Sequence, residues 1–235
     1  MTVSRHNWLP FFFEVTRRKC RIKNLKLEKY MGGLDLRTDI SNWMPLSVSE
    51  INKMFSGIPL RWIIAGGWAL DLHLRKQTRE HSDIDIIITR DEQSIAYQYL
   101  KRDWVLYKAE NGKLELWEDG EYLNSTNDIW VSKSEETPWA FQIMIIDTYE
   151  NSWIYKRNKS VRRPVDEIFL RTDEGIPYLR PEIQLLHKAG GSQVREKDYN
   201  DFQTMLPSLL SQEKAWLKSS LNRQFPEGHT WLKFL

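Results

Sequence analysis

Trp62-Ile63-Ile64-Ala65-Gly66-Gly67-Trp68-Ala69-Leu70-Asp71, followed twelve residues on by Asp83-Ile84-Asp85-Ile86-Ile87-Ile88-Thr89, is the stretch that decides how this chain folds. An apolar strand over 61–65 runs into a glycine pair, then a helix over 68–76, then a second strand over 83–89. Glycine lets the backbone come close to a polyphosphate. A helix starting at Trp68 aims its free amides at the same group. Side chains alternate along the second strand, so Asp83 and Asp85 share one face while Ile84, Ile86 and Ile88 enter a core. Two carboxylates about 7 Å apart along a strand repel each other unless a cation lies between them. Mg²⁺ suits that place, because it takes carboxylate and phosphate oxygens together. A Gly-Gly alone reads as a turn and an Asp-x-Asp alone as a solvated strand face. Their order in one stretch is what brings phosphate and metal side by side.

This order resembles the nucleotidyltransferase fold of the DNA polymerase β superfamily. Gly66-Gly67-Trp68-Ala69-Leu70-Asp71 with Thr78-Arg79-x-His81-x-Asp83-Ile84-Asp85 is similar to the branch holding 2″-type aminoglycoside adenylyltransferases and lincosamide nucleotidyltransferases. Arg162-Arg163-Pro164, Pro177-Tyr178-Leu179-Arg180-Pro181-Glu182, Leu185-Leu186-His187-Lys188-Ala189 and Lys197-Asp198-x-x-Asp201-Phe202 extend the likeness from about residue 42 to the end. The resemblance implies an α/β fold with a mixed-sheet lobe and a C-terminal helical lobe. It implies a Mg²⁺-dependent enzyme that moves NMP, AMP from ATP in the first instance, to a hydroxyl of a small polar molecule. Asp83 and Asp85 would ligate the metal, and the Gly66 and Gly67 backbone would contact the phosphates.

The superfamily usually has a third carboxylate on a neighbouring strand, which ligates metal or takes the acceptor proton. Asp147, ending Phe141-Gln142-Ile143-Met144-Ile145-Ile146-Asp147, is the candidate. Gln142 holds the alternative position, and if that is the true one the chain lacks its base. Arg79 suits a bidentate phosphate contact. Lys188 follows Leu185 and Leu186 on an apolar helix face, where a triphosphate across a cleft would give an ammonium its reason, snorkelling to solvent being the alternative. His81 reads as a structural histidine or a direct participant. Asp198 and Asp201 read as caps and ion-pair partners, or as a motif shared with toxin-type nucleotidyltransferases.

A chain of 235 residues suits one compact enzyme or two small lobes sharing a cleft, and eleven Trp supply ample core. The formal net charge of +2 argues against general nucleic-acid binding, which needs a concentrated basic face. Cys20 stands alone, so one chain holds no disulfide framework, and a reducing cytoplasm is expected. Trp8-Leu9-Pro10-Phe11-Phe12-Phe13 is too short for a signal or a membrane span. The basic run from Arg17 to Lys29 reads as a solvated arm or as one that packs on a partner.

Periodicity and punctuation place the remaining elements. A capped helix is expected over 47–55, and a helix from an Asp91 cap to about Lys101. Asn111-Gly112 reads as a hairpin turn between strands at 104–109 and 113–117. Strands are expected at 128–132, 141–147 and 153–157, then helices at 181–189, 198–206 and 211–223. The expected division is a basic extension over 1–41, an α/β nucleotidyltransferase unit over 42–172 and a helical unit over 173–235. Three functions follow: transfer to a small antibiotic-like hydroxyl acceptor, a toxin-type transferase acting on tRNA or protein, or a non-catalytic nucleotide-binding relative. Glu110, Glu115, Glu118, Asp119 and Glu121 form either an acidic wall for a cationic acceptor or a solvated face.

Overall fold

The computed structural model describes residues 36–110, 112–190 and 193–235. In chain order the elements are β1 (Leu36–Arg37), α1 (Val48–Phe55), β2 (Trp62–Ile64), α2 (Gly66–Leu74), β3 (Asp85–Thr89), α3 (Gln93–Leu100), β4 (Val105–Glu110), β5 (Lys113–Leu116), β6 (Asp128–Ser132) and β7 (Trp139–Ile146). Then come β8 (Thr148–Tyr149), β9 (Ser152–Ile154), β10 (Arg162–Pro164), β11 (Phe169–Arg171), β12 (Pro177–Leu179), α4 (Pro181–Ala189), α5 (Glu196–Met205) and α6 (Ser211–Gln224). Among the described residues nine strands form one mixed sheet in the order β1-β5-β4-β6-β7-β3-β2-β12-β11, and β10-β9-β8 form a small second sheet. The pairs β3/β7 and β2/β12 are parallel.

The isoleucines of β3 fix its register: Ile86 faces Ile143 and Ile88 faces Ile145 on β7, all four buried. A one-residue slip would turn this set to the other face, so the burial itself specifies the pairing. Helix α1 starts at a capping box in which Ser47 and Glu50 exchange hydrogen bonds, and it seats Phe55 against Trp62 at 5.6 Å and Phe141 at 5.9 Å. At the other end of the chain Trp231 stacks on Phe202 of α5 at 4.2 Å, which ties the last residues to the helical bundle.

Several boundaries differ from expectation for physical reasons. Helix α2 begins at Gly66 rather than Trp68, so the glycine pair is its first turn and not a loop before it. Strand β3 begins at Asp85, which leaves Asp83 in the preceding turn. Asp91 lies inside a short 3₁₀ turn, Arg90–Glu92, and does not cap α3. The strand expected over 153–157 is the shorter β9, claimed by the small sheet. Residues 172–176 join β11 to β12 in a hairpin, and β12 pairs β2, so the large sheet gains its last strands just before the helices begin. Strands β4 and β5 pair as the Asn-Gly turn requires, although Asn111 falls outside the described residues, as does the basic run 17–29. Among the described residues no helix is long and apolar enough to cross a membrane.

Candidate active site

The end of β2, the start of α2 and the start of β3 meet at Gly66. The Ala65 amide donates to the Asp85 carbonyl at 2.9 Å. Gly66 has φ of +67°, and a Cβ there would collide with Asp85 Oδ2. The glycine is therefore required twice, for its backbone angle and for the space the carboxylate occupies. A Cβ on Gly67 would run into the His81 ring. The Gly66 amide donates to Gln184 Oε1 of α4 at 2.8 Å, so the first N–H of this helix is held by the helical lobe. Burial pushes the Asp85 carboxyl up to about 7, with the charge of Asp83 next in weight and that of Asp128 adding, while Lys188 and Lys197 oppose.

Asp147 does not join this group. It follows Ile146, which pairs with Thr89 at the end of β3 opposite to Asp85, and its carboxylate is ion-paired to Arg90 and half-exposed. Five residues of strand separate it from Gln142, roughly 16 Å at about 3.3 Å per residue. The expected convergence of Asp147 on Asp83 and Asp85 is thus corrected by the length of β7. Gln142 is the residue that stands opposite Asp85. Its Nε2 donates to Asp128 Oδ1 at 3.0 Å, and Asp128 opens β6 on the other side of β7. Burial raises the Asp128 carboxyl, against the charge of Lys156 and the Gln142 hydrogen bond.

Sequence reasoning took Asp128 only as the first residue of a strand. Its alternation with buried Ile129 and Val131 put it on a partly open face, but choosing it needed the strand order β6-β7-β3, which no local pattern carries.

The cations form one network with the acids of α5. Arg79 donates Nε and Nη2 to the two carboxylate oxygens of Asp201 at 2.9 and 3.0 Å. Lys188 Nζ lies 2.7 Å from Asp201 and 3.1 Å from Asp198, and Arg195 closes on Asp198 at 2.5 Å. Burial alone would raise the Asp201 carboxyl, yet Arg79 and Lys188 together hold it below its ordinary value. Arg79 Nη1 also meets His81 Nδ1 at 3.0 Å. A guanidinium only donates, so Nδ1 accepts and His81 Nε2–H donates to Asp71 Oδ2 at 2.5 Å. Asp71 accepts in addition from the Thr78 hydroxyl at 2.6 Å. His81 is thereby occupied in holding α2 to the turn that carries Asp83. Lys188 is buried, so the snorkelling alternative fails: two carboxylates satisfy it in the interior.

Among the described residues no three His, Cys, Asp or Glu side chains are gathered to hold a metal ion by themselves. The Asp83–Asp85 pair nevertheless suits Mg²⁺, which takes one or two carboxylates and completes its shell with water and substrate phosphates.

Among solved structures, a lincosamide antibiotic adenylyltransferase, LnuA, with lincomycin bound, is 23% identical with a TM-score of 0.48, covering 67% of this chain and 93% of that one. ANT(2'')-Ia in complex with adenylyl-2''-tobramycin is 12% identical with a TM-score of 0.49, covering 75% and 97%. The solution structure of ANT(2'')-Ia is 14% identical with a TM-score of 0.50, covering 77% and 93%, and this likeness is one of fold. No curated protein matches the chain. The family model for aminoglycoside-2''-adenylyltransferase matches residues 47–205, which takes in the glycine turn, all three strands of the carboxylate face and the α5 acids. The chain, a nucleotidyltransferase, belongs to that family.

Proposed function

We propose that this nucleotidyltransferase moves AMP from ATP to a hydroxyl of a small polar acceptor, with aminoglycoside and lincosamide antibiotics as the substrate class. The observation that carries the reading is the gathering of Asp83, Asp85 and Asp128 at one end of β3, β7 and β6, across from Lys188 on α4. Bound Mg²⁺, held by Asp83 and Asp85, would supply charge neutralisation at the α-phosphate. Residues 42–172, with β12 and Lys188 from the unit over 173–235, would handle nucleotide and metal; ATP as donor puts the reaction in the cytoplasm.

The chain's own residues then have these tasks. Asp128, with its carboxyl raised by burial, accepts the proton of the acceptor hydroxyl as the oxygen bonds to the α-phosphorus and the bond to pyrophosphate breaks. Gln142 holds Asp128 in place from the strand between. Gly66 admits the Asp85 carboxylate against the start of α2. Lys188 and Arg79 offer positive charge to the triphosphate, and Asp198 and Asp201 keep both oriented until it arrives.

The test is purified protein with Mg²⁺ and ATP labelled at the α-phosphate, offered lincomycin, tobramycin, bulk tRNA and no acceptor. Label on either antibiotic is the expected result. Label on tRNA or on the protein itself would replace this reading by the toxin-type one, and no label anywhere with ATP still bound would make the chain a nucleotide-binding relative.

A further inference from the structure

The face that carries Asp85 and Asp128 continues beyond them as an aromatic floor. Asp128 and Trp130 are two residues apart on β6 and so share a face. The register sets Trp130 opposite Gln142 on one side and Tyr107 on the other, and Tyr107 opposite Leu116. Trp43 stands edge-on to Trp130 at 4.9 Å, and Trp130 edge-on to Trp139 at 5.3 Å. Beneath them Tyr107, Leu114 and Trp139 make a second, smaller core, separate from the main one. Trp43, Trp130, Leu116 and Met144 are only half-buried. Arg37 is committed: it lies 3.6 Å over Trp139 and is paired to Asp39 at 2.6 Å, while Lys156 stands at the Asp128 end.

The acidic residues that a cationic acceptor would want lie on the other side. Glu115 pairs with Lys108, and Lys108 with Ile129, one position out of phase with Asp128. Glu110 is two residues from Lys108 and therefore on that same far face, where it accepts from Ser125 and Thr126. Glu121 is paired to Lys108 at 2.7 Å and Asp119 to Lys101 at 3.0 Å. One ammonium can rest on a tryptophan face. Several would be stripped of water against Trp43, Trp130 and Leu116, with the Asp128 carboxylate at the floor's edge already engaged by the acceptor hydroxyl.

We infer that this floor is the acceptor subsite, and that it selects a glycoside with an apolar face and at most one positive charge over a polycation. The inference rests on the transfer reading above. Pockets for small molecules are built this way, with mostly apolar and aromatic lining and a few polar groups that fix orientation. Here the orienting group is Asp128, about 7 Å along the strand from Trp130, so an acceptor lying flat on the indole presents a hydroxyl to the carboxylate.

Calorimetry with Mg²⁺ and a non-hydrolysable ATP analogue separates the subsite from the chemistry. The probes are lincomycin, which has one amine and an alkyl chain, and the polyamine tobramycin. Wild-type protein is expected to bind lincomycin at least tenfold more tightly. Trp130→Ala should weaken lincomycin binding about tenfold, as loss of an aromatic anchor does, with Trp130→Phe recovering most of it and the ATP analogue bound alike in all three. Trp43→Ala, which removes only the outer ring, should act in the same direction by about threefold and serves if Trp130→Ala does not fold. Tighter binding of tobramycin, no binding of either probe, or lincomycin binding unchanged in both alanine variants would overturn the subsite. Binding of lincomycin without label transfer would sink the proposed reaction and leave the subsite standing.

Discussion

Replacing Gly66 by alanine tests the site at its narrowest point. An L-residue at φ of +67° costs about 1–2 kcal/mol. For a chain of this size that corresponds to a fall in Tm of roughly 2–8 °C. The larger effect is local. The new Cβ would overlap Asp85 Oδ2, so the carboxylate must retreat by about 1 Å to reach ordinary contact, and a misplacement of that size costs on the order of 10²-fold in turnover. Gly66→Ala should therefore bind ATP and melt a few degrees early, yet need more Mg²⁺ and turn over about a hundredfold more slowly. Gly67→Ala is the companion: its Cβ would meet His81 and, at 2.7 Å, Arg79 Nη2, so Tm and transfer should both fall. Label transfer against Mg²⁺ concentration, with Tm by scanning fluorimetry, reads both. Wild-type turnover and Mg²⁺ response in Gly66→Ala would refute the argument that Asp85 is placed by the missing side chain.

Three further outcomes are expected. Asp128→Asn should lower transfer by about 10²–10⁴-fold with ATP binding retained, whereas Asp147→Asn should stay near wild type; the reverse order would restore Asp147 as the base. Lys188→Met should cost about 1–3 kcal/mol in urea unfolding, because Asp198 and Asp201 keep Arg195 and Arg79 but lose the ammonium between them, and no measurable loss would show that the ammonium adds nothing to the network. His187 is held neutral, its imidazole pushed down to about 3 by burial and then by Arg157. A group depressed below its unfolded value of about 6.5 takes up its proton only on unfolding, so stability falls as pH drops below about 6.5, by about 2 kcal/mol at pH 5. His187→Gln should remove that much of the difference between pH 5 and pH 7.5, and an unchanged difference would exclude His187 as its source.

What the sequence disclosed follows the range of the interactions involved. Helices α1 and α4 were legible almost to the residue, because a Ser47–Glu50 capping box and a Pro181 start are local signals. Strand β3 was legible from its isoleucines, and the glycine turn from the company it keeps. The third carboxylate was not. Gln142 lies on β7 and Asp147 just past its end, whereas the proposed base Asp128 lies on β6, and only the insertion of β7 between β6 and β3 brings it beside Asp85. The fate of Lys188 was half legible. Its apolar helix face was correctly seen as anomalous, whereas the two carboxylates that satisfy it lie on the next helix, at a crossing that periodicity does not encode.

The placement of β7 also bears on how the protein comes to be made. Its parallel pairing with β3 closes a loop that contains all of α3, β4, β5 and β6, and its antiparallel pairing with β6 is the short-range half of the same event. Long closures fold slowly, since their entropy must be met before their contacts form. The hairpins of β4, β5 and β6 can thus form early on the ribosome while Asp85 still waits for its neighbours. Asp128 comes within range of Asp83 and Asp85 only once β7 is in place, and the pairing of β12 with β2 is a longer closure still, so repulsion among the three falls on the assembled sheet and not on its early hairpins.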